Sequence, residues 1–326
     1  MRRRTFNWYE YAFALPVIVC INFMMPRLMP GDPFIAMEDD LDQPYAASLT
    51  EEQIRYFRRY YDLDQPLPRQ FAGYFMKMLR GDMGLSIMNK EPVRSMIFAR
   101  LPWTFSMVLS SMLLGCLAGS LLGCISALHR KGRLDHVLYT AMVALSEIPS
   151  FIVGIGLLLL FAVKIRWFPL SGGITPFIAH DNALDWIADW LHHAVLPVIA
   201  LSFARVCGFY MMTRNSMMTV LSRDYIRTAR AKGIGWQGVV FGHALRNAAL
   251  PIATHLFLGM GGLFGGAVLV ENVFAYPGLG SLMGSAVASR DYILLQGVFL
   301  FMSVTVLTMN ALAELVYRKL DPRLCA

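Results

Sequence analysis

WTFSMVLSSMLLGCLAGSLLGCISA, residues 103–127, runs for 25 positions without a charged side chain. A helix of that length rises about 37 Å, and about 20 residues suffice to cross roughly 30 Å of hydrocarbon. Inside a bilayer every backbone N–H and C=O must be satisfied within the protein, which leaves helices and closed barrels. Barrel strands are short and alternate apolar with polar residues; this stretch is too long and too uniformly apolar for one. It predicts a transmembrane helix. Its glycines, Gly115, Gly119 and Gly123, recur every four residues and suit close helix–helix approach more than a gate.

Working outward, five further segments approach spanning length: 11–29, 137–163, 194–213, 249–270 and 292–317. The first holds Pro16, Asn22, Pro26 and Arg27, and the third is interrupted by Glu147 and Pro149. Proline donates no backbone hydrogen bond, so the third helix is expected to kink or restart there. The fourth contains Arg205, the fifth is rich in glycine, and the sixth carries only Glu314. Across the 326 residues 56% are apolar and 16% charged, against about 25% charged in soluble domains. The expected fold is an all-α membrane protein with six transmembrane helices and a small external subdomain after the first.

Lys/Arg placement predicts orientation. Basic residues cluster before the first span (Arg2, Arg3, Arg4), between the second and third (Arg130, Lys131, Arg133), between the fourth and fifth, and after the sixth (Arg318, Lys319, Arg323). These regions alternate correctly for the cytoplasmic side, with both termini inside. The net charge of +7 then reflects topology, and no basic-aromatic patch suggests nucleic-acid binding. The N-terminal segment is not expected to be a cleaved signal peptide, because PRLMP at 26–30 lacks small residues. In the external loop, 30–102, Thr50 with Glu51, Glu52 and Gln53 starts a predicted helix to about Tyr60, and a second is predicted over 69–79.

Between the fourth and fifth spans lies SRDYIRTARAKGIGWQGVVFGHALRNAALP, residues 222–251. Arg223, Arg227 and Arg230 stand at i, i+4 and i+7, one face of a helix, and Gly233 after Lys232 reads as its stop. On charge alone the segment is either a docking surface for a soluble partner or a topology determinant beside anionic lipid. Its residues decide further. DYIRTARAKG followed by HALRNAALP resembles the cytoplasmic coupling loop of ATP-binding-cassette (ABC) importer permeases, closest to the peptide and nickel branch. Arg227, Thr228 and Ala229 sit where other branches have Glu-Ala-Ala, and Gly233 matches the glycine four residues after the last of these. LMPGDP at 28–33, YDLDQPLPRQF at 61–71, RGDMGLS at 80–86 and ENVFAYPGLG at 271–280, with RDY after it, extend the resemblance over nearly the whole chain.

That resemblance implies a type I ABC importer permease with a second homologous permease subunit as partner. Two ABC ATPase subunits, identical or different, would dock at Tyr225, Arg227, Thr228, Ala229, Arg230, Ala231, Lys232 and Gly233. An extracytoplasmic solute-binding protein would deliver a peptide, a nickel chelate or a related solute. ATP and Mg would be used by the partners; the chain itself would bind no cofactor, contact membrane lipid, and sit in a prokaryotic inner membrane. The implied organisation is 1–29 as cytoplasmic N-terminus and first helix, 30–102 external, 103–317 the permease core with coupling loop 214–248, and 318–326 cytoplasmic.

Three ionisable residues are candidates for a translocation path or gate. Arg205 near the middle of a span is the costliest, at about 2.5–3.5 kcal/mol on insertion scales. It and Glu147 either line the path or form a structural pair; Glu271 is expected to hold an external gate or turn by hydrogen bonds. Trp186 and Trp190, among Asp181, Asp185 and Asp189, suggest a short interfacial helix before the fourth span. The adjacent His192 and His193 do not share a helix face, so a metal site is not expected. No Lys precedes Ser or Thr, which excludes a P-loop, and the five cysteines show no metal or disulfide spacing. No catalytic residue is expected. A self-contained ion-coupled carrier using Glu147, Arg205 and Glu271 is the alternative function.

Overall fold

The computed structural model describes residues 8–28, 55, 65–178, 182–261 and 263–320. The predicted helix at 50–60, the LMPGDP segment, Asp181 and both termini lie outside these residues, apart from Leu28 and Arg55. The described chain is helical, with one isolated bridge, Leu85 to Pro92. In order the helices are α1 (Trp8–Leu28), α2 (Leu67–Leu79), α3 (Val93–Leu128), α4 (Arg133–Ser146), α5 (Ser150–Leu157, continued by a π-helical segment Leu158–Lys164), α6 (Ala183–Leu221), α7 (Asp224–Ala231), a second π-helical segment Gly238–Leu245, α8 (Arg246–Gly261), α9 (Leu263–Val273), α10 (Leu279–Ala288) and α11 (Tyr292–Leu320). Three of them, α3, α6 and α11, are long and apolar enough to cross a membrane, and α4 with α5 makes a fourth if taken as one span.

The chain forms two compact units. The larger comprises 102–281 and the chain from 305 onward. Within it α6 packs against α4, α5, α8 and α9. The glycine row of α3 lies on α6: a Cβ on Gly115 would stand 2.6 Å from Arg205 Cβ, and one on Gly119 2.5 Å from the Val206 carbonyl oxygen. Gly123 repeats the approach, with Tyr210 O at 2.7 Å. Meanwhile Leu113, Leu117, Leu121 and Ile125 on the same helix are exposed. Small residues inward and leucines outward is the pattern of a helix whose outer solvent is lipid.

Several predicted spans take other forms. The third breaks at Pro149, and its two halves are bent by 96°. Pro149 is extended (ψ 139) and α5 restarts after it, because its ring cannot continue α4. The expected interfacial helix with Trp186 and Trp190 is not separate: α6 runs unbroken for 39 residues through it. Over the predicted fifth span the described chain is helical as α8 and α9, and a further helix, α10, follows. The second begins ten residues early, since α3 runs through Pro102.

The smaller unit comprises 7–101 and 282–304. In it Phe23 of α1 packs edge-on against Phe71 of α2, with centroids 5.1 Å apart. Buried Asn22 donates to Tyr74 Oη at 2.9 Å and to the Gln296 carbonyl at 3.0 Å. Gly81 ends α2 at φ +72, with Asp82 N–H on Lys77 O and Gly81 N–H on Met78 O. Arg80-Gly81-Asp82 is therefore a helix stop of the Schellman type. Ser86 then donates to the buried Asp291 carboxylate, whose other oxygen accepts the Leu294 N–H at 3.0 Å and caps α11. RGDMGLS and RDY thus meet from 205 residues apart.

Candidate coupling surface and buried polar sites

The segment read as a coupling loop is helical where expected and departs from expectation at two residues, Arg223 and Ala229. Helix α7 begins at Asp224, so Arg223 precedes it with extended backbone (φ −75, ψ 150) and is not on its face with Arg227 and Arg230. One side of α7 is apolar: Ile226 and Ala229 are buried in a cluster with Ala127 of α3, Met217 of α6, and Val239 and Ala244 of the following segment. Ala229 faces its own bundle and is not free for a partner. Tyr225, Arg227, Thr228, Arg230, Ala231, Lys232 and Gly233 are exposed. Thr228 Oγ1 donates back to the Asp224 carbonyl at 3.1 Å. Arg227 stands 3.8 Å from the Asp224 carboxylate, a solvated pair of little energetic weight. The Arg230 guanidinium lies 4.3 Å over the Trp236 ring. Gly233 ends the helix at φ +78. Its N–H bonds Arg230 O at 2.9 Å and the Ile234 N–H reaches Ala229 O at 3.3 Å, a Schellman closure.

The three ionisable candidates fall in three environments. Glu147 caps the C-terminus of α4 at the break before Pro149 and is exposed. Arg205 is half-buried on α6; it donates to Met112 Sδ at 3.5 Å, and its Nε is buried with no hydrogen-bond partner among the described residues. The structure does not bring Glu147 and Arg205 together. Glu271 is fully buried. It accepts Thr104 Oγ1 at 2.6 Å, the Gly280 N–H at 2.6 Å and the Ser281 N–H at 3.2 Å. Thr104 Oγ1 in turn accepts the Leu279 N–H at 2.8 Å. The carboxylate therefore seats the first turn of α10, where the helix dipole favours negative charge. Gly278 leaves it room, since a Cβ there would overlap the carboxylate.

Around this turn Trp190 Nε1 donates to Tyr276 Oη at 3.0 Å, and Trp103 meets Tyr276 edge-on at 5.7 Å. Burial pushes the Tyr276 phenol up to about 12. His193 Nδ1 lies 2.9 Å from Asp189 O, and His192 Nε2 lies 2.8 Å from Trp167 O. Each imidazole thus has its own local partner.

One polar site escaped the sequence reading. Asp135, in the first turn of α4, is buried and binds Arg214 of α6 through two parallel bonds, Nε to Oδ1 at 2.7 Å and Nη2 to Oδ2 at 2.9 Å. Ser126 of α3 donates to the same carboxylate. Having spent its one proton there, the Ser126 hydroxyl accepts from Tyr210, 2.8 Å away. The guanidinium also lies 4.8 Å over the Tyr139 ring. The available signal was a lone acid opening an apolar helix; the Lys/Arg count had assigned Arg214 to topology.

Residues 119–325 match the family described as binding-protein-dependent transport system inner membrane component. The chain is 35% identical to the oligopeptide transport system permease protein AppB of Bacillus subtilis, over 94% of each chain. It is 34% identical to the di/tripeptide transport system permease protein DppB of Pseudomonas aeruginosa, again over 94% of each. It is also 34% identical to the glutathione transport system permease protein GsiC of Pectobacterium atrosepticum, over 95% of this chain and 94% of that one. With its apolar helices and these relatives on the page, the chain belongs to the binding-protein-dependent transport inner membrane components and is a multi-pass permease subunit of an ABC transporter.

Proposed function

We propose that this subunit carries peptides inward, received from an extracytoplasmic solute-binding protein, through a path shared with a second homologous permease. Two ATPase subunits dock on the exposed side of Tyr225–Gly233 and supply ATP hydrolysis with their own Mg. In this reading the chain crosses the bacterial inner membrane six times, both termini lie in the cytoplasm, and the 30–102 loop lies outside. The observation that carries it is the two-sidedness of α7: Ile226 and Ala229 anchor the helix to its own bundle, while its cationic side stays exposed. The peptide cargo follows from the names of the relatives, of which one transports oligopeptides and another di- and tripeptides. Nothing in the relatives favours an ion-coupled carrier.

Reconstitution tests this directly. Liposomes holding both permeases and the ATPases should take up labelled peptide with binding protein and ATP, and without any ion gradient. Uptake by this chain alone under a proton or sodium gradient would overturn the proposal. Single-cysteine labelling checks orientation: a cysteine at Thr50 should react only from outside.

A further inference from the structure

We propose that the Asp135–Arg214 pair is the joint through which α4, and the bent half-helix beyond it, follows the motion of the coupling helix. The proposal rests on the reading that α7 meets an ATPase. Helix α7 docks by Ile226 and Ala229 into an apolar cluster drawn from α3, α6, α8 and the 238–245 segment. No residue of α4 belongs to that cluster. Apolar contact is non-directional and allows sliding. At this end α4 is tied in by the forked ion pair of Asp135 with Arg214 and by Ser126. A bidentate pair fixes both position and orientation. Arg214 stands one turn before Met217, the α6 residue on which α7 rests. The covalent link from α3 to α4 is the short turn at 129–132, with Lys131 at φ 65. Such a turn can act as a hinge, so without the pair α4 would follow α6 only through side-chain packing, which allows it to lag. The far end of α4 is the 96° break at Pro149, where a small rotation becomes a displacement of α5. Asp135 and Arg214 are positioning residues: each acts through the helix that the other belongs to.

The test uses the full complex of both permeases, ATPases and binding protein in liposomes. Asp135→Asn keeps the side-chain size and removes the charge; Arg214→Lys keeps the charge and removes the fork. The expected result is ATP hydrolysis still stimulated by binding protein, with solute imported per ATP reduced about three- to thirty-fold, the range that coupling networks carry. A purely structural role would instead lower assembly and leave that ratio unchanged. In a background without the native cysteines, Asp135→Cys with Arg214→Cys should be uncoupled while the thiols are free. A short bifunctional thiol reagent should restore the ratio. A normal ratio in the assembled single variants, or in the cysteine pair before cross-linking, would overturn the joint, as would no recovery after cross-linking. Absence of any ATP-driven uptake by the wild-type complex would instead reject the reading of α7 on which the proposal rests.

Discussion

Gly233→Val isolates the conformation of the coupling turn from its contacts. At φ +78 a Cβ on Gly233 would have nothing within 4 Å, so no steric clash contributes. What remains is the cost of holding an L-residue in the left-handed region, about 1–2 kcal/mol, and toward the upper end for a β-branched side chain. At about 2 kcal/mol the native turn is disfavoured roughly thirty-fold relative to glycine. Two bonds close that turn, Gly233 N–H to Arg230 O and Ile234 N–H to Ala229 O, so α7 would fray from its C-terminal end, beneath Arg230 and Lys232. Asparagine tolerates this region better than other L-residues. The expected order of function is therefore Gly, then Asn, then Ala, then Val. The assay is co-purification of the ATPase, ATP hydrolysis with and without binding protein, and uptake in liposomes. Valine should reach the membrane yet lose co-purification and stimulation. Equal activity for Gly233→Val and wild type would refute the claim that this turn sets docking. An asparagine variant as poor as the valine one would show that the backbone is not the cause.

Other outcomes follow from the same geometry. Glu271→Ala strands the Thr104 hydroxyl and two N–H groups of α10; thermal unfolding in detergent should show a loss of about 2–4 kcal/mol. In Gly119→Val the new Cβ would meet Val206 O at 2.5 Å and Tyr210 N at 3.0 Å, backbone atoms that cannot turn aside, so folded yield on size exclusion should collapse. Gly156→Ala, with nothing within 4 Å, should fold normally. Asp291→Ala removes the α11 cap and the Ser86 partner together, and should cost about 1–3 kcal/mol in the same unfolding assay. Tyr276, raised toward 12 by burial, stays protonated in the folded protein above its unfolded value of about 10. Its contribution to stability is thus present below pH 10 and declines between 10 and 12, and Tyr276→Phe should flatten that alkaline slope.

The features legible in the sequence were those set by local chemistry. A charge-free run of 25 residues reads as a membrane helix, Pro149 must interrupt one, and Gly233 ends a helix because φ is positive there. The glycine row of α3 was readable because its period of four matches a helix face. What stayed hidden depends on partners distant in sequence. Asp135 and Arg214 are 79 residues apart, and each alone looks like a solvated charge at the end of a span. The polar start of α6 read as an interfacial helix because its tryptophans and aspartates suit headgroups; no breaker separates it from the span, so the helix continues. Arg223 shares the spacing of Arg227 and Arg230, but spacing does not show where a helix begins.

The acids in this chain divide by what they accept. Asp135, Glu271 and Asp291 are all buried, and each places its carboxylate at the start of a helix, Glu271 reaching there from the last turn of α9. Asp135 lies in the first turn of α4 and accepts the Lys131 N–H, Glu271 accepts two first-turn N–H groups of α10, and Asp291 caps α11. A helix N-terminus offers unpaired donors and a positive field, so a buried carboxylate there is stabilised without needing a full countercharge. Asp135 has one as well, in Arg214. Glu271 and Asp291 accept backbone N–H groups at the starts of α10 and α11, an arrangement that fixes where a helix begins. Asp135 joins two helices by charge, which is directional and sensitive to displacement. The basic residues of α7 take the opposite course: their heads stay in solvent, with one weak pair and one aromatic contact. Buried acids thus set the geometry of the turns, while exposed arginines remain free to meet an acidic surface. Motion arriving at those arginines would be delivered to α4 through the Asp135–Arg214 pair.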